Sequence, residues 1–444
     1  MVPIGHQGIG MAAAGGTKKI LDFSNDGVRA SLCMAFAAFF LLAGYEFIRS
    51  SASALFLQDF GKDAIPVATL YMPFAVVAFL YIYGRMLGRW GAKWTLVATT
   101  LGSGGLIALG FVLHKSGVRL ASAVLYVLRE AYVVLIIEQY WSYINSKVSR
   151  DVARRLNGPV CGISSLGAIA GGLITAKVVG SIGTVNMLAF AALACLPAAV
   201  FSWLAFRIGG DPRGQTHEAR PVGHPGKANW MDVVGLSLLR REPVLAWIMA
   251  IVLTTQVVAA MTDFAFQGAL NDAISSTDDR TAYLGGFFAR LNIFALALQF
   301  VLAPVLLSWF RYEWINIAIP AVQLITCAAA VMEPSLASTG IAFMTFKMLD
   351  YSLFRATKEI LYIPLSFDAR YRSKELIDVF GYRFGKGGAA LAVTGAISLG
   401  AVFTSQWYAA LALGAVSFWL FLVTRAIGLF RRHNQPIGPA GSAG

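Results

Sequence analysis

Charge is scarce in this chain. Asp, Glu, Lys and Arg make up 13% of its 444 residues, about half the share a soluble domain uses to cover its surface. Hydrophobic residues make up 57% and the mean hydropathy is +0.66, which excludes soluble globular and disordered readings. Cysteine is scarce too. Cys33, Cys161, Cys195 and Cys327 lie far apart inside apolar runs with no C-x-x-C, so they read as small buried hydrophobes, not a disulfide framework or thiolate metal site. The five histidines stand at the edges of apolar runs or outside them, without the H-x-x-H or H-E-x-x-H spacing of a metalloenzyme. No nucleophile and base stand at a catalytic spacing, so the expectation is a protein that is not an enzyme and uses no metal or cofactor. The net charge of +13 sits on no soluble basic element with interleaved aromatics, which argues against nucleic acid as a partner.

What the chain has in abundance is apolar runs of bilayer length. Twelve are readable, at about 31–48, 65–84, 94–114, 121–144, 157–180 and 184–206, then 244–268, 283–307, 314–333, 338–362, 385–404 and 407–430. The first exceeds a signal-peptide core and lacks a small-residue cleavage site, so it reads as a retained span. The fold expected is an all-α polytopic membrane protein with twelve transmembrane helices in two six-helix halves. The organisation expected is a cytoplasmic N-terminal segment 1–30, a six-helix half 31–206, a polar Pro/Gly-containing linker 207–243, a second half 244–430 and a cytoplasmic tail 431–444.

Lys and Arg counting orients the chain. Twenty-five of the 36 fall in segments on one side, Lys386 and Arg311 among them, while Arg49, Lys62, Lys115, Arg119 and Arg280 fall on the other. Both termini are therefore expected in the cytoplasm, with the protein in a bacterial inner membrane against anionic lipid.

The remaining basic residues and several acids lie within the spans, where a charge near the bilayer centre costs about 3 kcal/mol on insertion scales. Ten of these twelve residues fall on spans 1, 4, 7 and 10: Glu46, Arg129, Glu130, Glu138, Asp263, Lys347, Asp350, Arg355, Lys358 and Glu359. Lys177 and Arg290, on spans 5 and 8, are the other two. Two six-helix halves with their charges on spans 1, 4, 7 and 10 resemble the major facilitator architecture, which implies a central cavity lined by those spans. The segment Gly84 to Lys93 resembles that superfamily's basic loop motif, with Gly88 where the usual acid stands. Within span 10, Lys347 and Asp350 are three apart and Arg355 and Glu359 four apart, so each pair can share a helix face. The plainer reading of each charge is an ion pair that holds helices together, and it is favoured for Glu46, Glu138, Lys177 and Arg290. Gly381 to Gly387 lacks the spacing and Ser/Thr of a phosphate-binding loop, and Gly158-x-x-x-Gly162 and Gly167-x-x-x-Gly171 read as helix packing.

The stretch Thr357-Lys358-Glu359-Ile360-Leu361-Tyr362-Ile363-Pro364-Leu365, followed by Ile377-Asp378-Val379 and Gly385-Lys386-Gly387-Gly388, resembles the nucleotide transporter family of plastids and intracellular bacteria, the ATP:ADP translocase type. The resemblance implies nucleotide exchange through twelve helices by alternating access. It maps the family's span 4 Glu onto Glu130 and its span 7 Glu onto Asp263. The family's span 1 Lys falls near Ala52, its span 10 Lys on Asp350, and the following Asp on Arg355, so two phosphate-facing cations are replaced. The substrate-binding residues expected are Glu130, Asp263, Lys347, Asp350, Arg355 and Lys358, with Arg49, Arg129 and Glu359 as further candidates. The partner expected is a small anionic molecule, a nucleotide or related metabolite, bound by a monomer in lipid. The rival readings are a proton-coupled carrier of a less charged metabolite and a non-transporting membrane sensor.

Overall fold

A computed structural model describes residues 24–148, 150–211, 243–361, 377 and 381–433. Most of the expected 207–243 linker and terminal segments lie outside them, as do Tyr362 to Leu365, Asp378 and Val379 of the family-like stretches.

The described chain is almost wholly helical. Helix α1 (Asp26–Phe60) starts where the Asn25 side chain accepts a hydrogen bond from the Gly27 amide at 2.8 Å, and it ends at Gly61, whose φ of 76° suits glycine. Helix α2 (Ile65–Lys115) is 51 residues long, enough for two crossings, and Gly91 breaks it with φ 72° and ψ 174°. It is followed by α3 (Leu120–Lys147), α4 (Arg150–Ile182) and α5 (Thr184–Gly209). The second half holds α6 (Pro243–Ala273), α7 (Thr277–Ala297) continued through a π-helical turn into α8 (Ala303–Trp309), and α9 (Tyr312–Met332). Then come α10 (Leu336–Leu349), joined by the π-helical turn Asp350–Phe354 to α11 (Arg355–Leu361), α12 (Tyr382–Ser398) and α13 (Ser405–His433). Among the described residues, nine helical stretches are long and apolar enough to cross a membrane. With α2 broken at Gly91, and with the charged α10–α11 rod and the shorter α12 added, the architecture is compatible with twelve crossings.

Two expectations need correction. The segment 85–93, read as a loop, stays helical to Trp90 and turns only at Gly91. Lys386, counted toward the cytoplasmic side at the start of the run 385–404, lies inside α12.

Each half has its own apolar core. One buries Leu41, Ile48, Leu55, Tyr132, Ile136 and Met187; the other buries Phe264, Phe266, Leu270, Phe287, Phe343 and Trp419, and draws in Phe56 and Tyr126 from the first half. Four of the buried hydroxyls are satisfied within their own helices. Ser51, Thr100, Thr175 and Ser202 each donate to the carbonyl four residues back at 2.7–2.8 Å, as a lipid environment requires. Trp90, Trp94, Trp309, Trp314 and Trp407 are exposed near rod ends, where aromatic residues anchor a protein at a membrane interface.

The halves meet along α2 with α12 and along α4 with α7. Residues 59–62, 114–122, 184, 268–278 and 405 share one end of the bundle, called here the far end. There Lys62 pairs with Asp272 at 2.6 Å, Gln58 accepts from Thr277 at 2.9 Å, and Asp278 accepts from the Thr184 hydroxyl and amide at 2.6 and 2.7 Å. All three links join one half to the other.

Candidate substrate site

Helical spacing carries the polar side chains inward in rows. Tyr45, Arg49 and Ser53 lie four apart on α1, Glu130, Val134 and Glu138 four apart on α3, and Lys347, Tyr351 and Arg355 four apart across the π-helical turn. Thr69, Met72, Pro73 and Val76 form the corresponding stripe of α2. The rows bound two spaces between the halves. A larger cavity of about 590 Å³ lies among α2, α3, α11 and α12, lined by Glu130, Glu138, Arg355, Lys358, Glu359, Tyr382 and Lys386 beside apolar residues. A smaller chamber of about 50 Å³ is lined by Tyr45, Arg49, Ser53, Arg129, Glu130, Asp263, Gln267, Lys347, Tyr351 and Lys386, with Phe266, Phe288 and Phe343. Glu130 and Lys386 line both spaces.

Lys386 donates to Asp263 across 2.8 Å, joining α12 to α6. Gln267, one turn on from Asp263, bonds it at 2.7 Å and reaches the Tyr126 hydroxyl of the first half at 3.1 Å. Arg129 is buried. It donates to the Arg49 carbonyl at 2.8 Å and to the Ser53 hydroxyl, lies 4.0 Å from the Tyr126 ring centre, and stands 3.6 Å from Glu130. Its role is thus to fix α3 against α1 as well as to line the chamber. Arg49 lies 3.5 Å from the Phe288 ring centre in the other half and 3.5 Å from Glu46, while Asn292 of the second half donates to Glu46 at 2.9 Å. Lys358 is buried, with its ammonium 4.7 Å from the Tyr382 ring centre.

The structure gathers eight of the nine expected residues at these spaces. Glu130, Asp263, Lys347, Arg49 and Arg129 line the chamber, and Arg355, Lys358 and Glu359 line the cavity with Glu130. Asp350 is the exception. It is buried within the π-helical turn, lines neither space, and its Oδ1 has no hydrogen-bond partner. Glu138, read as a helix-end charge, is exposed into the cavity. Lys177 and Arg290 are exposed away from both spaces, Glu46 is a buried partner of Arg49, and Lys386 is the site residue that the sequence reading missed. Its flanking glycines carried the signal: a side chain at Gly385 would lie 2.8 Å from Gln256, and one at Gly387 3.0 Å from Pro73, so small residues let α12 pack close beside the cation. Among the described residues no group of three His, Cys, Asp or Glu could hold a metal ion.

The chain is similar to known transporters in sequence and in fold. The family model described as TLC ATP/ADP transporter matches residues 338–430, the rods that supply Lys347, Arg355, Lys358 and Lys386. ADP,ATP carrier protein 1 of Rickettsia bellii (strain RML369-C) is 23% identical over 88% of this chain and 91% of its own length. The protein of the same description from Chlamydia pneumoniae is 23% identical over 52% of this chain and 50% of its own. Among solved structures, nucleoside transporter NupG superposes with a TM-score of 0.64 at 10% identity, covering 90% of this chain and 99% of that one. A bacterial homologue of the iron transporter ferroportin in an inward-facing state gives 0.65 at 10% identity, covering 90% and 98%. The fold is therefore shared with these transporters and is of the major facilitator type, and the chain is similar to ADP,ATP carrier proteins over most of its length and to the TLC ATP/ADP transporter model over 338–430.

Proposed function

We propose that the chain is a secondary-active transporter that exchanges a nucleotide across a bacterial inner membrane by alternating access, as a monomer with both termini in the cytoplasm. The observation that carries the reading is the chamber itself. Both halves build it, four cations line it, and cross-half links lie to its far-end side. An anion seated there contacts both halves, so its binding energy bears on how they sit against each other. Glu130, Asp263, Lys347, Arg355 and Lys358 are the contacts proposed, with Arg49, Arg129 and Lys386 beside them and Glu359 at the cavity wall. No bond in the substrate is made or broken, and the gradient of the exchanged partner supplies the driving force.

The test is uptake of labelled adenine nucleotides into proteoliposomes, preloaded with unlabelled nucleotide or empty. Uptake is expected only with preload, and to fall at least tenfold in Lys386→Ala. Equal uptake into empty vesicles would exclude obligate exchange. A rate that follows an imposed proton gradient would instead favour proton coupling, a reading supported by the two carboxylates, Glu130 and Asp263, in one chamber.

A further inference from the structure

Two rows of side chains border the spaces, one from each half. On α3 the row is Glu130, Val134 and Glu138, and on the α10–α11 rod it is Lys347, Tyr351 and Arg355. Both rods begin at the far end, α3 at Leu120 and α10 at Leu336, close to Val331, whose carbonyl accepts from Gln406 at 3.0 Å. Each row therefore runs from the chamber towards the opposite end. Glu130 and Lys347 mark a common depth, since both line the chamber of about 50 Å³. Glu138 stands about 12 Å beyond Glu130, at 1.5 Å of rise per residue, and the same number of residues separates Arg355 from Lys347. Both Glu138 and Arg355 line the larger cavity of about 590 Å³.

Glu138 and Arg355 are exposed into that cavity, and among the described residues neither makes an ion pair. Of the two cations on α11, Lys358 is buried with its ammonium 4.7 Å from the Tyr382 ring centre, so Arg355 is the one that stands in the open space. The acid belongs to one half and the guanidinium to the other, and the far end is already joined across the halves by Lys62 with Asp272 and by Thr184 with Asp278. The end with room to close is therefore the opposite one. A space bounded by both halves narrows when they rock the other way, and an Arg and a carboxylate brought together there gain a charge-assisted, bidentate bond. An anion resting against Arg355 meets the Glu138 carboxylate as a rival for the guanidinium, and the two negative charges repel each other.

Resting on the exchange reading, we propose that Glu138 is a gating residue: its carboxylate pairs with Arg355 when the cavity closes at the end opposite the far end, and in doing so takes the place of the substrate anion on that guanidinium. Spin labels at Asn145 and Ser308, exposed at that end on opposite halves, read closure in lipid nanodiscs without any substrate. Preloaded proteoliposomes read the exchange of labelled adenine nucleotides by the same variants without labels. Glu138→Gln is expected to shrink the short-distance population by about fivefold, the size of effect an exposed pair supports. It should lower kcat to a similar degree while lowering KM, because the rival carboxylate is gone; a side chain that served only the fold would not split the two constants in this way. Arg355→Glu alone should also lose the short-distance population. Glu138→Arg with Arg355→Glu should restore that population to within about twofold of the parent, whatever the swap does to exchange. An unchanged short-distance population and kcat in Glu138→Gln overturn the inference and leave nucleotide exchange standing. A swapped variant that melts cooperatively in detergent but does not regain the short distance overturns the pairing with Arg355, and the inference with it. Label distances that move as expected in a protein that takes up no nucleotide support the gate and overturn the exchange reading.

Discussion

The residue with the most consequences is Lys386. Its pairing with Asp263 joins α12 to α6 and borders both spaces, and the side chains are 25% and 13% exposed. Removing one partner of a well-buried pair costs about 3–5 kcal/mol because the other charge is left uncompensated. With a quarter of Lys386 open, a loss of about 2 kcal/mol is expected for Lys386→Met. The double variant Asp263→Leu with Lys386→Met should regain most of the melting temperature in detergent, since no lone charge remains, yet transport should stay lost. If the double variant melted as low as the single, the pair would not be what holds these helices. The sequence made Glu130, Asp263 and Lys347 legible because a charge inside an apolar run is costly enough to need a purpose. Lys386 escaped because it adjoins a basic segment and was counted towards orientation. Tyr45, Gln267 and Asn292 escaped because uncharged polar residues in a span have a bland explanation. Asp350 stands three residues after Lys347, a spacing that can share a helix face, yet it lies buried within the π-helical turn and lines neither space, while Tyr351 and Arg355, four and eight residues on, do.

At the scale of elements, the apolar runs gave the helical character and order of the stretches, while backbone proximity had to wait for the fold. Of the four glycines of α4 read as packing positions, two serve that purpose. A Cβ at Gly167 would lie 2.1 Å from the Phe39 carbonyl oxygen, and one at Gly171 2.5 Å from that of Ala43, so α4 runs directly against the α1 backbone. Gly162 has open space, and Gly158 meets only Phe300 at 3.9 Å. A neighbouring pair matters more for movement. Gly172 of α4 and Gly285 of α7 touch backbone to backbone across the halves, where a Cβ on either would come within 2.8 Å of the other's carbonyl oxygen. Gly167→Val should therefore abolish recovery of monodisperse protein, and Gly162→Ala should leave the melting temperature unchanged. Gly172→Ala should fold and bind substrate but exchange it at least fivefold more slowly, because it wedges the surface over which the halves must move. Wild-type exchange in Gly172→Ala would mean that the α4–α7 contact opens freely.

For the whole molecule, alternation requires the far-end links to break, so their strengths decide the resting state. Among the described residues Lys62 and Asp272 make the shortest ion pair across the halves, but their side chains are 30% and 52% exposed. Such surface pairs contribute about 0–1 kcal/mol. The Thr184–Asp278 link is different in kind. Thr184 is 2% exposed, and both its hydroxyl and its amide donate to the Asp278 carboxylate at the start of α7. Orphaning buried donors costs about 1–3 kcal/mol, and the acid also complements the helix N-terminus. The hydrogen-bonded latch should thus outweigh the salt bridge. Spin labels at Ser116 and Ser275, exposed at this end on opposite halves, would report the separation in lipid nanodiscs. Asp278→Ala should enlarge the longer-distance population by about tenfold, the equivalent of about 1.4 kcal/mol. Asp272→Asn should enlarge it by less than about fivefold, and high salt should imitate that smaller shift in the parent protein because screening weakens exposed pairs first. If Asp272→Asn opened the far end more than Asp278→Ala, the exposed ion pair would be the latch, and the order of strengths argued from burial would be reversed.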